Sequence, residues 1–217
     1  MYYKKVRSPS TQQQDDLDEI LMEISQGLIT QKLGYPTTIM YCELEVMGYV
    51  YRYLETALQE NQYVGYNCPE NRLFAMYHQA YTDKMKTLVI SELGKGENSK
   101  IRFVAATVAL GMGLDAPAIR KIIHFKNPTS IEKYLQETGR AGRDGKYAEA
   151  VLYYNATDLR ANRPGQQAAM VKFCRMTDGC LRQELMQYLG FSAPADRLLC
   201  KCCLFCKESC QCKDCVA

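Results

Sequence analysis

Apolar positions along the chain follow two periods. Leu17, Ile20, Leu21, Ile24 and Leu28 share one face at 3/4 spacing, as do Leu44, Met47, Tyr51, Leu54 and Leu58. Each set predicts an amphipathic helix. A third helix is predicted behind Thr82, a capping residue, and carries Met85, Leu88, Val89 and Leu93. Between these lie short apolar runs at 37–42, 74–77, 101–105, 121–125 and 148–154, which read as strands. Residues 2–7 fit a first strand or a frayed terminus, 8–14 and 94–99 read as loops, and a short helix is expected near 108–111. Strands alternating with helices imply an α/β fold, a parallel sheet with helices on both faces.

One polar run stands out from this pattern. Gly139-Arg140-Ala141-Gly142-Arg143-Asp144-Gly145 places two arginines among three glycines. The glycines permit close backbone approach, and arginine offers a planar, permanently charged fork suited to phosphate. A helix is expected to feed the run: Thr129 and Glu132 fit a capping box, and Ile131, Tyr134 and Leu135 share a face. Gln136 falls in its last turn, and Gly139 is placed to end it. Ligands of parallel sheets bind at the carboxyl ends of strands. Thr107, His78 and the arginine run all come after strand ends, so one shared rim is expected.

Beyond residue 155 the chain turns polar, with Pro164-Gly165 as a break, and then becomes rich in cysteine. The boundary is placed near 160, giving units at 1–160 and 161–217. Of 11 cysteines, nine fall at or after Cys174. Cys180 opens a helix-like stretch ended by Gly190, and Cys200, Cys203 and Cys206 follow at C-x2-C-x2-C spacing. Four thiolates suit a closed tetrahedral zinc site, which supplies folding energy to a segment too small for its own core. The spacing leaves the choice of ligands open, because Cys202 competes with Cys200 or Cys203 and Cys174 lies near Cys180. Cys210, Cys212 and Cys215 have no assigned role.

Hydrophobic content of 47% and charged content of 24% are ordinary for a globular chain. A net charge of +3 is too weak to argue for nucleic acid in bulk, so any such case rests on local sites. The polar start of the chain reads as no secretory signal, and clustered cysteines then read as metal ligands rather than disulfides. The expected location is nuclear in a eukaryote and otherwise cytoplasmic, not secreted. No Ser/His/Asp arrangement for an independent hydrolase is visible.

The stretch from Ile101 to Tyr154 resembles motifs V and VI of superfamily 2 helicases. The wording Gly111-Met112-Gly113-Leu114-Asp115 followed by Gln136 to Gly145 is specifically similar to the RecQ family of DNA helicases. The resemblance implies a second RecA-like lobe followed by a small zinc-binding subdomain. It implies that Arg143 is an arginine finger, with Arg140 its phosphate-facing companion and Gln136 a link between nucleotide and DNA sites. Asp115 would support the nucleotide side. Thr107 and Gly111 would contact a DNA phosphate, and His78 would lie near DNA. Cys180, Cys200, Cys203 and Cys206 would hold Zn2+. Residues 38–42 resemble motif IV. Ala116 stands where the family pattern has lysine.

Neither a phosphate-cradling GxxxxGK[ST] run nor a DExH motif occurs in the sequence. ATP and Mg2+ are therefore expected only together with a first RecA-like lobe, in cis or in trans. Two readings follow: a lobe of an ATP-dependent 3′-to-5′ DNA helicase from a truncated product or partial gene, or a non-catalytic zinc module that binds DNA or a partner.

Overall fold

The computed structural model describes residues 1–9, 13–111, 115–192 and 201–210. In chain order the elements are β1 (Tyr2–Arg7), α1 (Gln13–Gln31), β2 (Thr38–Tyr41), α2 (Leu44–Leu58), β3 (Phe74–Tyr77), α3 (Asp83–Gly94), β4 (Phe103–Ala106) and β5 (Lys121–Phe125). They continue with α4 (Ile131–Thr138), β6 (Glu149–Tyr154), α5 (Ala168–Arg175), α6 (Leu181–Tyr188) and α7 (Leu204–Glu208). The strands form one sheet of six in the order β1-β6-β5-β2-β4-β3, and every pairing is parallel.

Strand alternation divides the core between two faces. Met40, Phe74, Phe103, Ala105, Ile123 and Phe125 face α1 and α2, where Leu21, Leu28, Leu54 and Leu58 are fully buried. Ile39, Tyr41, Val104, Ala106 and Ile122 face the other way, toward Val89 and Leu93 of α3 and toward Leu110, Ala116 and Ala141. The expected covering of both faces is therefore present. Residues 2–7 form a full strand, paired with β6 along its whole length.

A third cluster joins β6 and α4 to the cysteine-rich part. Tyr134, Leu152 and Tyr154 pack with Met170, Phe173, Leu181, Leu185, Cys202 and Cys203. The Lys5 ammonium donates to the carbonyls of Phe173 and Met176, which closes the end of α5 onto β1. Tyr3 donates its amide to the Cys202 carbonyl at 3.2 Å and bridges to Cys203. This contact occupies part of the outer edge of β1, which would otherwise expose unpaired backbone groups.

One cap differs from expectation. Ser130, not Thr129, is the N-cap of α4, and its hydroxyl accepts from the Lys133 amide at 3.2 Å. The Thr129 hydroxyl instead accepts from the Lys133 ammonium. Thr82 caps α3 as expected. Among the described residues, no helix is long and apolar enough to cross a membrane.

Candidate functional site

The helix α4 ends at Gly139, where a Cβ would stand 2.9 Å from the Leu135 carbonyl oxygen. The chain then turns through Gly142, at φ 68°, against Ala148. The two arginines leave this turn differently. Arg140 is only 4% exposed. Its guanidinium lies by the Tyr41 phenol, which burial drives well above its ordinary pKa while Arg140 opposes the shift. The Arg143 side chain is 41% exposed, with Nη1 3.8 Å from an Asp115 carboxylate that is itself 92% exposed. Its Nε donates to the Gly139 carbonyl. Gln136, in the last turn of α4, is exposed. Asp115 and Arg143 are thus brought together, while Arg140 is buried by Tyr41.

The shared rim is met by the Arg140 side chain and not by the backbone of its loop. Thr107 follows β4 and His78 follows β3 at the carboxyl edge, where the Thr107 amide donates to the Tyr77 carbonyl. The backbone of the arginine loop is anchored at the amino edge, while the Arg140 guanidinium lies by Tyr41, the last residue of β2, at the carboxyl edge. Gly142 donates to the Ile119 carbonyl just before β5, and Asp144 pairs with Arg120. The reason is the helix: α4 leaves the carboxyl end of β5 and carries the chain back across the sheet before β6 begins.

Thr107 Oγ1 accepts from the Ala109 amide at 3.4 Å, opening the single-turn helix Val108–Gly111. His78 is half-buried against Tyr81, and its Nδ1 has no hydrogen-bond partner. A cleft of about 150 Å3 at this edge is lined by Tyr41, Val108, His124, Lys126, Lys133 and Arg163, among others. Met112, Gly113 and Leu114 lie outside the described residues. Ala116 is buried in the core, which explains its departure from lysine, because an ammonium there would be desolvated without a partner.

Two constellations escaped the sequence reading. His124 Nε2 lies 2.8 Å from Glu137 Oε2, both side chains buried, with the His124 ring stacked on Tyr41 and tilted against Tyr134. A lone histidine inside the apolar run 121–125 was the available signal. This pair fixes the last turn of α4 to β5, directly before Arg140. Glu137→Ala is expected to destabilise the fold by about 1–3 kcal/mol, because a buried imidazole loses its partner. Glu137→Gln, which keeps a hydrogen bond, is expected to lose less; urea denaturation midpoints measure both.

The second is a charge cluster that holds the loop itself. Arg120 makes a bidentate fork on Asp144, at 2.9 and 2.6 Å, and also reaches Glu97 at 2.7 Å. Hydrogen bonds from Arg120 hold both carboxyls below their ordinary values, and Lys146 assists at Glu97. A carboxyl lowered on folding contributes stability above its unfolded pKa and loses it as pH falls through the folded value. The difference in melting temperature between the parent and Arg120→Ala is therefore expected to be full above 4.5 and to shrink at lower pH. A difference that is constant with pH would remove this cluster as the clamp of the loop.

In the cysteine-rich part, the Sγ atoms of Cys180, Cys202, Cys203 and Cys206 all lie within 4.8 Å of one another. Cys180 precedes α6 and Cys203 precedes α7, so both sit at helix starts. Burial raises the Cys180 thiol, but hydrogen bonds from the Gln183 amide, Cys202 and Cys206 outweigh it and leave its pKa lowered. Cys202 is pushed up to about 12 by burial and by Cys180, and Cys206 is raised by the same two causes. Four converging soft thiols fit a tetrahedral metal ion, which would reverse the penalty on the paired thiolates. Cys200 lies outside the described residues; among those described, Cys202 joins Cys180, Cys203 and Cys206. Cys174 is buried elsewhere, beneath Tyr154 and Lys5.

A parallel sheet that carries paired arginines behind a short helix defines the class as a RecA-like helicase lobe. Residues 16–145 match the family described as the helicase conserved C-terminal domain, and the chain belongs to it. Its likeness is to the C-terminal lobe of RecQ-like helicases of superfamily 2. It is 41% identical over 100 residues to a putative ATP-dependent DNA helicase Q1 of Caenorhabditis elegans, covering 42% of this chain and 16% of that protein. It is 35% identical over 143 residues to the mouse ATP-dependent DNA helicase Q1, covering 61% of this chain and 21% of that protein. The chain thus spans about a fifth of such relatives. The structure of the Mycobacterium smegmatis helicase Lhr bound to ssDNA and AMP-PNP aligns over 81% of this chain and 22% of that one, at TM-score 0.57 and 20% identity.

Proposed function

We propose that this chain serves as the second lobe of an ATP-dependent 3′-to-5′ DNA helicase, working with a first RecA-like lobe in cis or in trans. The observation that supports it most is the division between the arginines: Arg143 is presented at the surface beside Asp115, while Arg140 is buried. A nucleotide with Mg2+, held by the first lobe, supplies the γ-phosphoryl group. Arg143 would place positive charge where negative charge develops, from a loop held by Gly142 and Arg120. Asp115 would orient that guanidinium until the nucleotide takes its place, and Gln136 stands exposed one turn earlier. Thr107, Gly111 and His78 would meet DNA at the carboxyl edge through backbone contacts without reading sequence.

Structural Zn2+ would be held by Cys180, Cys202, Cys203 and Cys206, tying the tail to β1. The reading is tested by ATP hydrolysis of the full-length protein with and without single-stranded DNA. Stimulated turnover that falls with Thr107→Ala through weaker DNA binding supports it. Turnover indifferent to DNA overturns it.

A further inference from the structure

At the amino ends of β1 and β6, far along the strands from Thr107, lies a cleft of about 370 Å3. Tyr2, Lys4, Tyr147, Glu149, Lys201 and Lys207 line it together with Leu204. Three strands of evidence give it a chemistry. The first is charge. Among the described residues, the ammonium groups of Lys4, Lys201 and Lys207 make no ion pair or hydrogen bond, and the one acid in the cleft, Glu149, is 3.9 Å from Lys121. The second is an aromatic face. Tyr147 is 64% exposed, its ring 6.5 Å from Tyr2 and tilted by 33°. The third is composition of the walls: one side is β1 and the start of β6, the other is α7 and Lys201 beside the cysteine cluster. Two separate parts of the chain thus build the cleft together.

We infer that this cleft binds single-stranded nucleic acid, with phosphates held by Lys4, Lys201 and Lys207 and a base stacked on Tyr147. Cations tracking a backbone beside an aromatic platform are the arrangement that binds single strands without sequence preference. A duplex keeps its bases stacked within itself and cannot offer a face to Tyr147. A free phosphate or polyphosphate would use the lysines and leave the ring idle. The cleft does not depend on nucleotide turnover, since neither Arg140 nor Arg143 lines it.

The test is fluorescence anisotropy of a labelled oligo(dT) with the zinc-loaded chain, run against an abasic oligonucleotide and inorganic polyphosphate. Tyr147→Ala is expected to weaken oligo(dT) binding about 5- to 100-fold and to leave the abasic strand unchanged. Tyr147→Phe is expected to bind as the parent does. Lys4→Ala and Lys201→Ala are each expected to lower the salt slope by about 0.7. Metal content and melting temperature are measured for every variant. Photo-crosslinking of an iododeoxyuridine oligonucleotide to the parent chain needs no substitution, and the expected adduct is on Tyr147. Undiminished binding by Tyr147→Ala, or an abasic strand that binds as tightly as oligo(dT), overturns the proposal. Loss of binding in Thr107→Ala alone, with no adduct on Tyr147, also overturns it while leaving the carboxyl-edge reading standing.

Discussion

Arg143→Ala in the full-length helicase is expected to lower ATP turnover by about 10³–10⁵, the worth of an arginine supplied to a phosphoryl-transfer site. DNA affinity is expected to stay within about twofold of the parent, as for a residue assigned to the nucleotide and not to DNA. The residues proposed for the two tasks leave different segments of backbone. Arg143 sits in a loop tied to the amino edge by Gly142 and Asp144, while Thr107 and His78 stand at the carboxyl edge. The side chain is exposed, so its removal costs little folding energy. Arg143→Lys is expected to recover only part of the rate, since a point charge does not reproduce the fork. Arg140→Ala should behave differently. It is buried by Tyr41, so turnover and melting temperature should fall together. Steady-state hydrolysis, anisotropy and thermal melting on the same preparations separate the cases. Equal turnover in Arg143→Ala and parent would sink the finger assignment.

Removal of the metal is expected to have the largest effect on the structure. The segment from Cys202 to Glu208 has only a five-residue helix, α7, and Cys203, which precedes it, is fully buried. Such a segment cannot order itself on apolar burial alone, and a structural zinc ion contributes about 10–16 kcal/mol of apparent binding energy coupled to folding. Chelation or Cys203→Ser is expected to abolish stoichiometric zinc and to make the tail sensitive to protease. It should also expose the β1 edge, because Tyr3 loses its contact with Cys202 and Cys203. The central strands, packed on α1 to α3, should keep their protection. Elemental analysis and hydrogen exchange read the two effects. Cys202→Ser is expected to act like Cys203→Ser. Cys200→Ser with full zinc content would confirm the four-thiol set, and a chain that keeps its zinc without Cys202 would exclude it.

Much of this architecture was legible in the order of residue types. Helices announced themselves at Leu17 to Leu28 and Leu44 to Leu58 because the 3.6-residue period repeats over several turns. Strands β2, β3 and β5 fell within runs of apolar residues, and Thr82 marked the start of α3. These are local properties, set by which side chains lie within a few positions of each other. The arginine run and the cysteine cluster were legible for the same reason, since their chemistry lies in short spacing.

Other features joined residues that the chain separates, and these the tertiary structure decided. Helix α4 returned the chain to the amino edge, where Gly142 and Asp144 are anchored, while the Arg140 guanidinium came to lie by Tyr41 at the carboxyl end of β2. Burial then divided Arg140 from Arg143, although the two are alike in sequence. His124 met Glu137 across 13 positions because α4 folds back against β5, and Arg120 met Asp144 across 24 because β5 lies beside β6 in the sheet. Cys202 was chosen for the cluster by the bridge from Tyr3 to Cys203, which brings the tail against β1. Local periodicity determines which face of an element is apolar. The partner that covers that face is set by strand order, and strand order is a property of the whole chain.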